Sequence, residues 1–247
     1  MVVMIKITAF SVSVDETLII NSINVSFNSG QTYVLMGPNG SGKSSFVSAL
    51  MDHPRYCVTG GTVLWNEQDI TNIPVHERAR LGMYFIMQYP IEVPGVSLAT
   101  LTREAMRSVH PTFSLQDYQQ RVDHALELLQ LPKTFLERSV NEGCSGGEKK
   151  LVELFQMLVI RPAFIIFDEL DSGLDADALQ HVVRALQWYK KTFPQTIFLI
   201  ISHYFHLIES LSPDHVLVMH KGSIAVQGSL DIVASIRQHG YGWLDHV

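Results

Sequence analysis

Three stretches of the chain carry side chains suited to handling a polyphosphate. Gly37-Pro38-Asn39-Gly40-Ser41-Gly42-Lys43-Ser44 has the spacing G-x-x-x-x-G-K-[ST]. Glycines at these positions let the backbone bend tightly and turn its N–H groups toward anionic oxygens. Phe164-Ile165-Ile166-Phe167-Asp168-Glu169 is an apolar run ending in paired carboxylates. Cys144-Ser145-Gly146-Gly147-Glu148 sets a hydroxyl and two glycines ahead of a helical pattern. The chemistry implied is binding of ATP with Mg2+, followed by hydrolysis. Lys43 is expected to reach the β- and γ-phosphates, Ser44 to ligate the metal, and Ser45 to extend the loop into the helix start. Asp168 is the natural second partner of the metal, with helix capping as the plainer alternative. Glu169 is placed to orient and deprotonate a water; a solvated acid at a strand end is its plainer role.

These residues are far apart in sequence, so a common framework must gather them. Tyr33-Val34-Leu35-Met36 runs into Gly37, Gly82 to Met87 into Gln88, Phe164 to Phe167 into Asp168, and Ile197 to Ile201 into Ser202 and His203. Short continuous apolar runs suit strands buried on both faces of a parallel sheet. Polar residues just past such strands collect at the carboxyl edge, where open α/β sheets bind ligands. Lys6 to Val14 and Leu18 to Phe27 alternate and read as antiparallel strands, and Asn28-Ser29-Gly30 is a turn signal. Leu98, Leu101, Ala105 and Met106, then Val122, Ala125, Leu126 and Leu129, recur at helical spacing, with Pro111 and Pro132 as punctuation. This stretch reads as a helical lobe inserted between core strands. Val216 to His220 and Ser223 to Gln227 read as a second alternating pair around Lys221-Gly222.

The chain has 247 residues, 47% of them hydrophobic, enough for a large core. A formal net charge of -6 argues against a nucleic-acid partner or an anionic membrane surface. The 2 cysteines, Cys57 and Cys144, form no C-x-x-C pair and fit a reducing cytoplasm. Cys144 reads as a small apolar filler, with a redox-sensitive thiol at a helix start as the alternative. The start of the chain lacks a signal-peptide pattern, and no run reaches the roughly 18 apolar residues of a membrane span. Direct membrane insertion is not expected.

Taken in order, the phosphate loop, Gln88, Ser145-Gly146-Gly147-Glu148, Asp168-Glu169, Ser172-Gly173-Leu174-Asp175 and His203 resemble the motif set of the ATP-binding-cassette ATPases. The resemblance implies an α/β cassette fold. Its parts are a P-loop, RecA-like, mostly parallel sheet core, an N-terminal antiparallel β subdomain and an inserted α-helical subdomain. It implies one domain over 1–247, with the core at about 1–96 and 160–247 and the helical part at about 97–159. Ser145, Gly146 and Gly147 are then expected to cap the γ-phosphate of a nucleotide held by a second copy, which implies ATP-dependent homodimerisation. Gln88 is expected to sense the metal, Asp175 to cross the dimer interface, and His203 to contact the γ-phosphate.

Gln88 to Ser97, Glu148-Lys149-Lys150, Asp168 to Asp175, Ser202-His203-Tyr204 and His239 to Leu244 further resemble the SufC-type ATPases of the iron–sulfur cluster assembly (SUF) system. That implies a cytoplasmic ATP hydrolase working with SufB-like and SufD-like scaffold subunits, docked around Gln88 to Ser97 and the helical lobe. The alternative is the nucleotide-binding subunit of an ABC membrane transporter. Val14, Cys144, Leu151 and Leu170 depart from common cassette patterns; Val14 stands where many cassettes stack an aromatic on adenine.

Overall fold

The computed structural model describes residues 3–171 and 173–246. In chain order the strands are β1 (Met4–Val14), β2 (Thr17–Asn28), β3 (Thr32–Met36), β4 (Cys57–Trp65), β5 (Gln68–Asp69), β6 (Met83–Ile86), β7 (Val93–Ser97), β8 (Ser139–Val140), β9 (Phe164–Asp168), β10 (Ile197–Ile201), β11 (His215–His220) and β12 (Ser223–Gly228). The α-helices are α1 (Lys43–Leu50), α2 (Val75–Arg80), α3 (Leu98–Val109), α4 (Leu115–Leu129), α5 (Gly146–Ile160), α6 (Ala176–Thr192), α7 (Phe205–Leu211) and α8 (Asp231–His239).

The main sheet has the order β12-β11-β3-β10-β9-β6. From β11 to β6 the neighbours are parallel, and β12 is an antiparallel edge. Successive side chains of a strand point to opposite faces, so an apolar run feeds two cores at once. Phe164 and Ile166 join the core that contains Phe46 and Val47 of α1, whereas Ile165 and Phe167 join Leu154, Phe155 and Leu158 of α5. This is why every residue of β3, β9 and β10 is buried. The alternation expected for Val216 to His220 is not found. Val216 to Met219 are all buried, because β11 pairs in parallel with β3 and is covered on both faces.

β2, β1, β4 and β5 form a second, antiparallel sheet. Ile5, Ile7, Phe10 and Val12 of β1 turn inward, to the same core as α1. The alternation breaks at bulges between Ile7 and Phe10, where Ala9 takes φ 49°. On the other face of the main sheet α3 to α6 pack together. Ser97 and Ser114 start α3 and α4 by accepting from the N–H of Thr100 and Asp117. β7 and β8 pair beside them, joining the segment after Gln88 to the one before α5. Among the described residues no helix is long and apolar enough to cross a membrane.

Candidate nucleotide site

The loops that follow β3, β6, β9 and β10 all leave the same edge of the main sheet, since these strands are parallel neighbours. They bring Gly37 to Ser44, Gln88, Asp168-Glu169 and His203 to one place. Asn39, Gly40, Gly42, Lys43, Ser44, Ser45, Gln88 and Glu169 line a polar cavity of about 400 Å³.

The phosphate loop is tight. A Cβ at Gly37 would stand 2.3 Å from the Met219 carbonyl oxygen, and one at Gly42, where φ is +103°, would meet Ile20 at 2.9 Å. The Lys43 ammonium donates to the carbonyls of Gly37 at 2.9 Å and Pro38 at 3.1 Å. Burial lowers its pKa, opposed by Glu169 and Asp168. The hydroxyl of Ser41 is buried without a hydrogen-bond partner. Helix α1 begins at Gly42 with no side-chain cap and no acid in its first turn. The N–H groups of a first helical turn need external acceptors. An uncapped start beside a buried lysine and an orphaned hydroxyl therefore fits an anionic phosphate chain.

Opposite the loop, the Ser44 hydroxyl donates to Asp168 Oδ1 at 3.1 Å. Burial pushes Asp168 up to about 6, and adjacent Glu169 adds to this against the pull of Ser44, Lys150 and Lys43. A buried carboxylate touching a hydroxyl is an oxygen donor set that fits a hard divalent cation. Glu169 takes φ 50° and is tied down by its N–H, which donates to the Ile201 carbonyl at 2.9 Å. A positive φ is unusual for glutamate and marks a position fixed by its surroundings. The Gln88 amide donates to Glu169 Oε2, and His203 Nε2 stands 3.9 Å from Oε1. The structure thus joins Gln88, Asp168, Glu169 and His203 to the phosphate loop.

Ser145, Gly146, Gly147 and Asp175 stand apart from this cavity. Ser145 caps α5 in a closed capping box: its hydroxyl accepts from the Glu148 N–H at 3.3 Å, and the Glu148 carboxylate accepts from the Ser145 N–H at 2.8 Å. Ser145 and Gly146 are exposed. Asp175 is exposed and caps α6 by accepting from the Ala178 N–H at 2.8 Å; within a single chain helix capping is its visible role. Ser172 lies outside the described residues.

Of the departures, Leu170 is fully buried and Leu151 packs against the main core. The start of α5 is braced at Glu148 by Arg138, 3.7 Å away. Burial raises the Cys144 thiol, opposite to what a reactive helix-start cysteine needs. Val14 ends β1 at the hairpin, paired with Thr17. Sequence reasoning missed Tyr241, whose hydroxyl accepts from the Gly37 N–H at 3.3 Å. It also missed the contacts of Lys150 and Glu153 behind Gln88. The available signal was Glu153 itself, an acid inside the apolar run Leu151 to Phe155.

The family model described as ABC transporter matches residues 20–172. The probable ATP-dependent transporter SufC of Escherichia coli is 37% identical over 249 residues, covering 98% of this chain and 98% of that protein. The probable ATP-dependent transporter slr0075 of Synechocystis is 37% identical over 98% of this chain and 95% of its own length. A solved ATP-binding subunit of an ABC transporter superposes with a TM-score of 0.80 at 21% identity, covering 96% of this chain and 93% of its own. The fold is thus that of the cassettes, and the chain belongs to the ATP-binding-cassette family of ATP hydrolases. Within that family it is of SufC type, the branch of its end-to-end relative from E. coli.

Proposed function

We propose that the chain binds MgATP and hydrolyses it between two copies of itself. In this reading it is the cytoplasmic ATPase subunit of a soluble iron–sulfur cluster assembly scaffold, beside SufB-like and SufD-like subunits. The observation that carries the chemistry is the Ser44–Asp168 contact at one side of a cavity whose other side holds Glu169, Gln88 and His203. Ser44, Asp168 and Gln88 would hold magnesium, which supplies charge neutralisation on the phosphate oxygens when bound. Lys43 and the uncapped start of α1 bind the phosphates, with the loop from Gly37 to Ser45 as the cradle. Glu169 orients the attacking water and takes its proton; Gln88 and His203 hold Glu169 from either side. Ser145, Gly146, Gly147 and Asp175 act on the site of the second copy. The core, at about 1–96 and 160–247, carries the phosphate loop; the helical part, at about 97–159, carries α5 and moves it.

Docking of the scaffold is supported by the surface beside Gln88. Tyr89 is 79% and Ile91 65% exposed, unusual for such side chains. An apolar groove of about 310 Å³, lined by Met51, Pro54, Val75, Tyr84, Phe85 and Met87, opens beside β6. A partner's apolar helix or loop fits such a groove. The relatives are named as probable transporters, and this favours a second reading as the nucleotide-binding subunit of a membrane transporter. Affinity purification from the native host separates the two. Scaffold-like soluble partners are expected; an integral membrane permease without them would overturn the scaffold reading. Turnover per chain should rise with protein concentration, and a constant rate would exclude completion of the site by a second copy.

A further inference from the structure

The stretch from His239 to Leu244 carries no phosphate chemistry of its own, yet it reaches the phosphate loop. Helix α8 ends at Gly240, where φ is +66°, and a short 3-10 turn begins at Gly242. Tyr241 stands between the two. Val233 and Ile236 before it and Leu244 after it are each no more than 4% exposed and belong to the main core. The ring of Tyr241 packs against the same core, so its hydroxyl is held on a supported segment. That hydroxyl meets Gly37. The ladders that hold β3 end at Leu35 toward β10 and at Met36 toward β11. Gly37 is the first residue past both, and it is buried. A buried N–H beyond the ladder needs another acceptor, and the Tyr241 hydroxyl supplies one at 3.3 Å. Gly37 is also hemmed in on its other sides, where a Cβ would collide with the Met219 carbonyl and the Ser41 hydroxyl. The Gly37 carbonyl in turn accepts from the Lys43 ammonium at 2.9 Å. One residue thus joins a tyrosine of the last segment to the lysine of the loop.

We propose that Tyr241 is a positioning residue for nucleotide binding. By holding the Gly37 N–H it fixes the entry of the phosphate loop, and with it the carbonyl on which Lys43 rests. A loop that is already ordered loses less freedom when a phosphate chain settles into it. The segment after α8 therefore sets nucleotide affinity from a point outside the cavity. This inference rests on the reading of the loop from Gly37 to Ser45 as the MgATP cradle, and it concerns binding, not the chemical step.

Tyr241→Phe removes the hydroxyl and keeps the ring in the core. In the full chain without nucleotide, amide hydrogen exchange at Gly37 should quicken about tenfold, with Val34 inside β3 unchanged. Equilibrium binding of MgADP should weaken about three- to tenfold, while turnover at saturating MgATP stays within about twofold of the wild type. A role confined to stability would lower the melting temperature and leave this split between affinity and turnover unseen. Trp243→Phe is the control, since the Trp243 indole donates within the same segment, to the Gly240 carbonyl at 2.9 Å. It should keep the wild-type affinity and the wild-type exchange at Gly37. Wild-type exchange at Gly37 in Tyr241→Phe, wild-type MgADP affinity there, or equal weakening in Trp243→Phe would overturn the proposal. Lys43→Ala separates it from the reading on which it rests. Unchanged affinity in Lys43→Ala would sink the loop itself as the nucleotide cradle. Weakened affinity in Lys43→Ala beside wild-type affinity in Tyr241→Phe would sink the role of Tyr241 alone.

Discussion

The starts of α1 and α5 are both assigned to phosphate, yet they are built in opposite ways. At α1 the N-cap is Gly42 and no carboxylate stands in the first turn. No side chain among the described residues caps its N–H groups, and Lys43 is folded back onto the loop's own carbonyls. At α5 the helix is already served by Ser145 and Glu148, each capping the other. One end is half-buried and uncapped; the other is exposed at Ser145 and capped. A helix start that lacks a cap binds an anion without first giving anything up. For Ser145 to reach a phosphate on another copy, its capping bond must be exchanged, at a cost of about 1 kcal/mol. On the proposed function, the α1 start takes phosphate at no such cost and the α5 start pairs only against it, which suits a switch in which pairing is the regulated step.

The comparison can be broken most severely at Glu169. Glu169→Gln should lower turnover roughly 10²- to 10⁴-fold while nucleotide affinity stays within a few-fold, as measured by phosphate release and equilibrium binding. Lys43→Ala should instead weaken nucleotide binding roughly 10- to 100-fold, because it removes charged donors from the buried end. Ser145→Ala probes the exposed end. The separate chain should bind ATP as before, lose about 1 kcal/mol of stability from the missing cap, and turn over more slowly at every protein concentration. Equal loss of monomer affinity in Lys43→Ala and Ser145→Ala would erase the distinction between the two ends.

The smallest effect is on pH. Glu153 is pushed up to about 8 by burial, against the pull of Lys150 and the Met87 N–H. Its folded pKa lies above the ordinary value of about 4.3, so the fold favours the neutral acid. The corresponding stability is present below pH 4 and is lost as pH rises toward about 8. Lys150, Tyr84 and Asp168 surround the same region and shift in their own directions. Glu153→Gln should therefore gain on the wild type in melting temperature between pH 5 and 8, and match it near pH 4.

The buried strands were legible because their apolar runs leave no polar face: β3, β9 and β10 stand where Tyr33 to Met36, Phe164 to Phe167 and Ile197 to Ile201 place them. The helical stretch was legible from Leu98 to Leu129 because its apolar residues recur on one face. Val216 to Met219 was misread as alternating, since a strand's second covered face depends on its neighbours and not on its own residues. The order β11-β3-β10-β9-β6, the bulge at Ala9 and the β7–β8 pair depend on distant partners and left no local mark. The gathering of Gln88, Asp168, Glu169 and His203 followed from their shared position past strand ends. Lys150 and Glu153 stayed hidden for the reverse reason: a charge on a helix ordinarily faces solvent, and only the packing of β6 against α5 shows that these two do not.

The contact between Gly37 and Tyr241 ties the first glycine of the loop to a side chain 204 residues later. On a ribosome the loop emerges first, and the hydroxyl that settles its opening N–H is made 204 residues later. A nascent or truncated chain that stops before Tyr241 leaves that N–H without this partner, so a nick or stop codon ahead of Tyr241 reaches the phosphate loop even though it lies far from it in the gene.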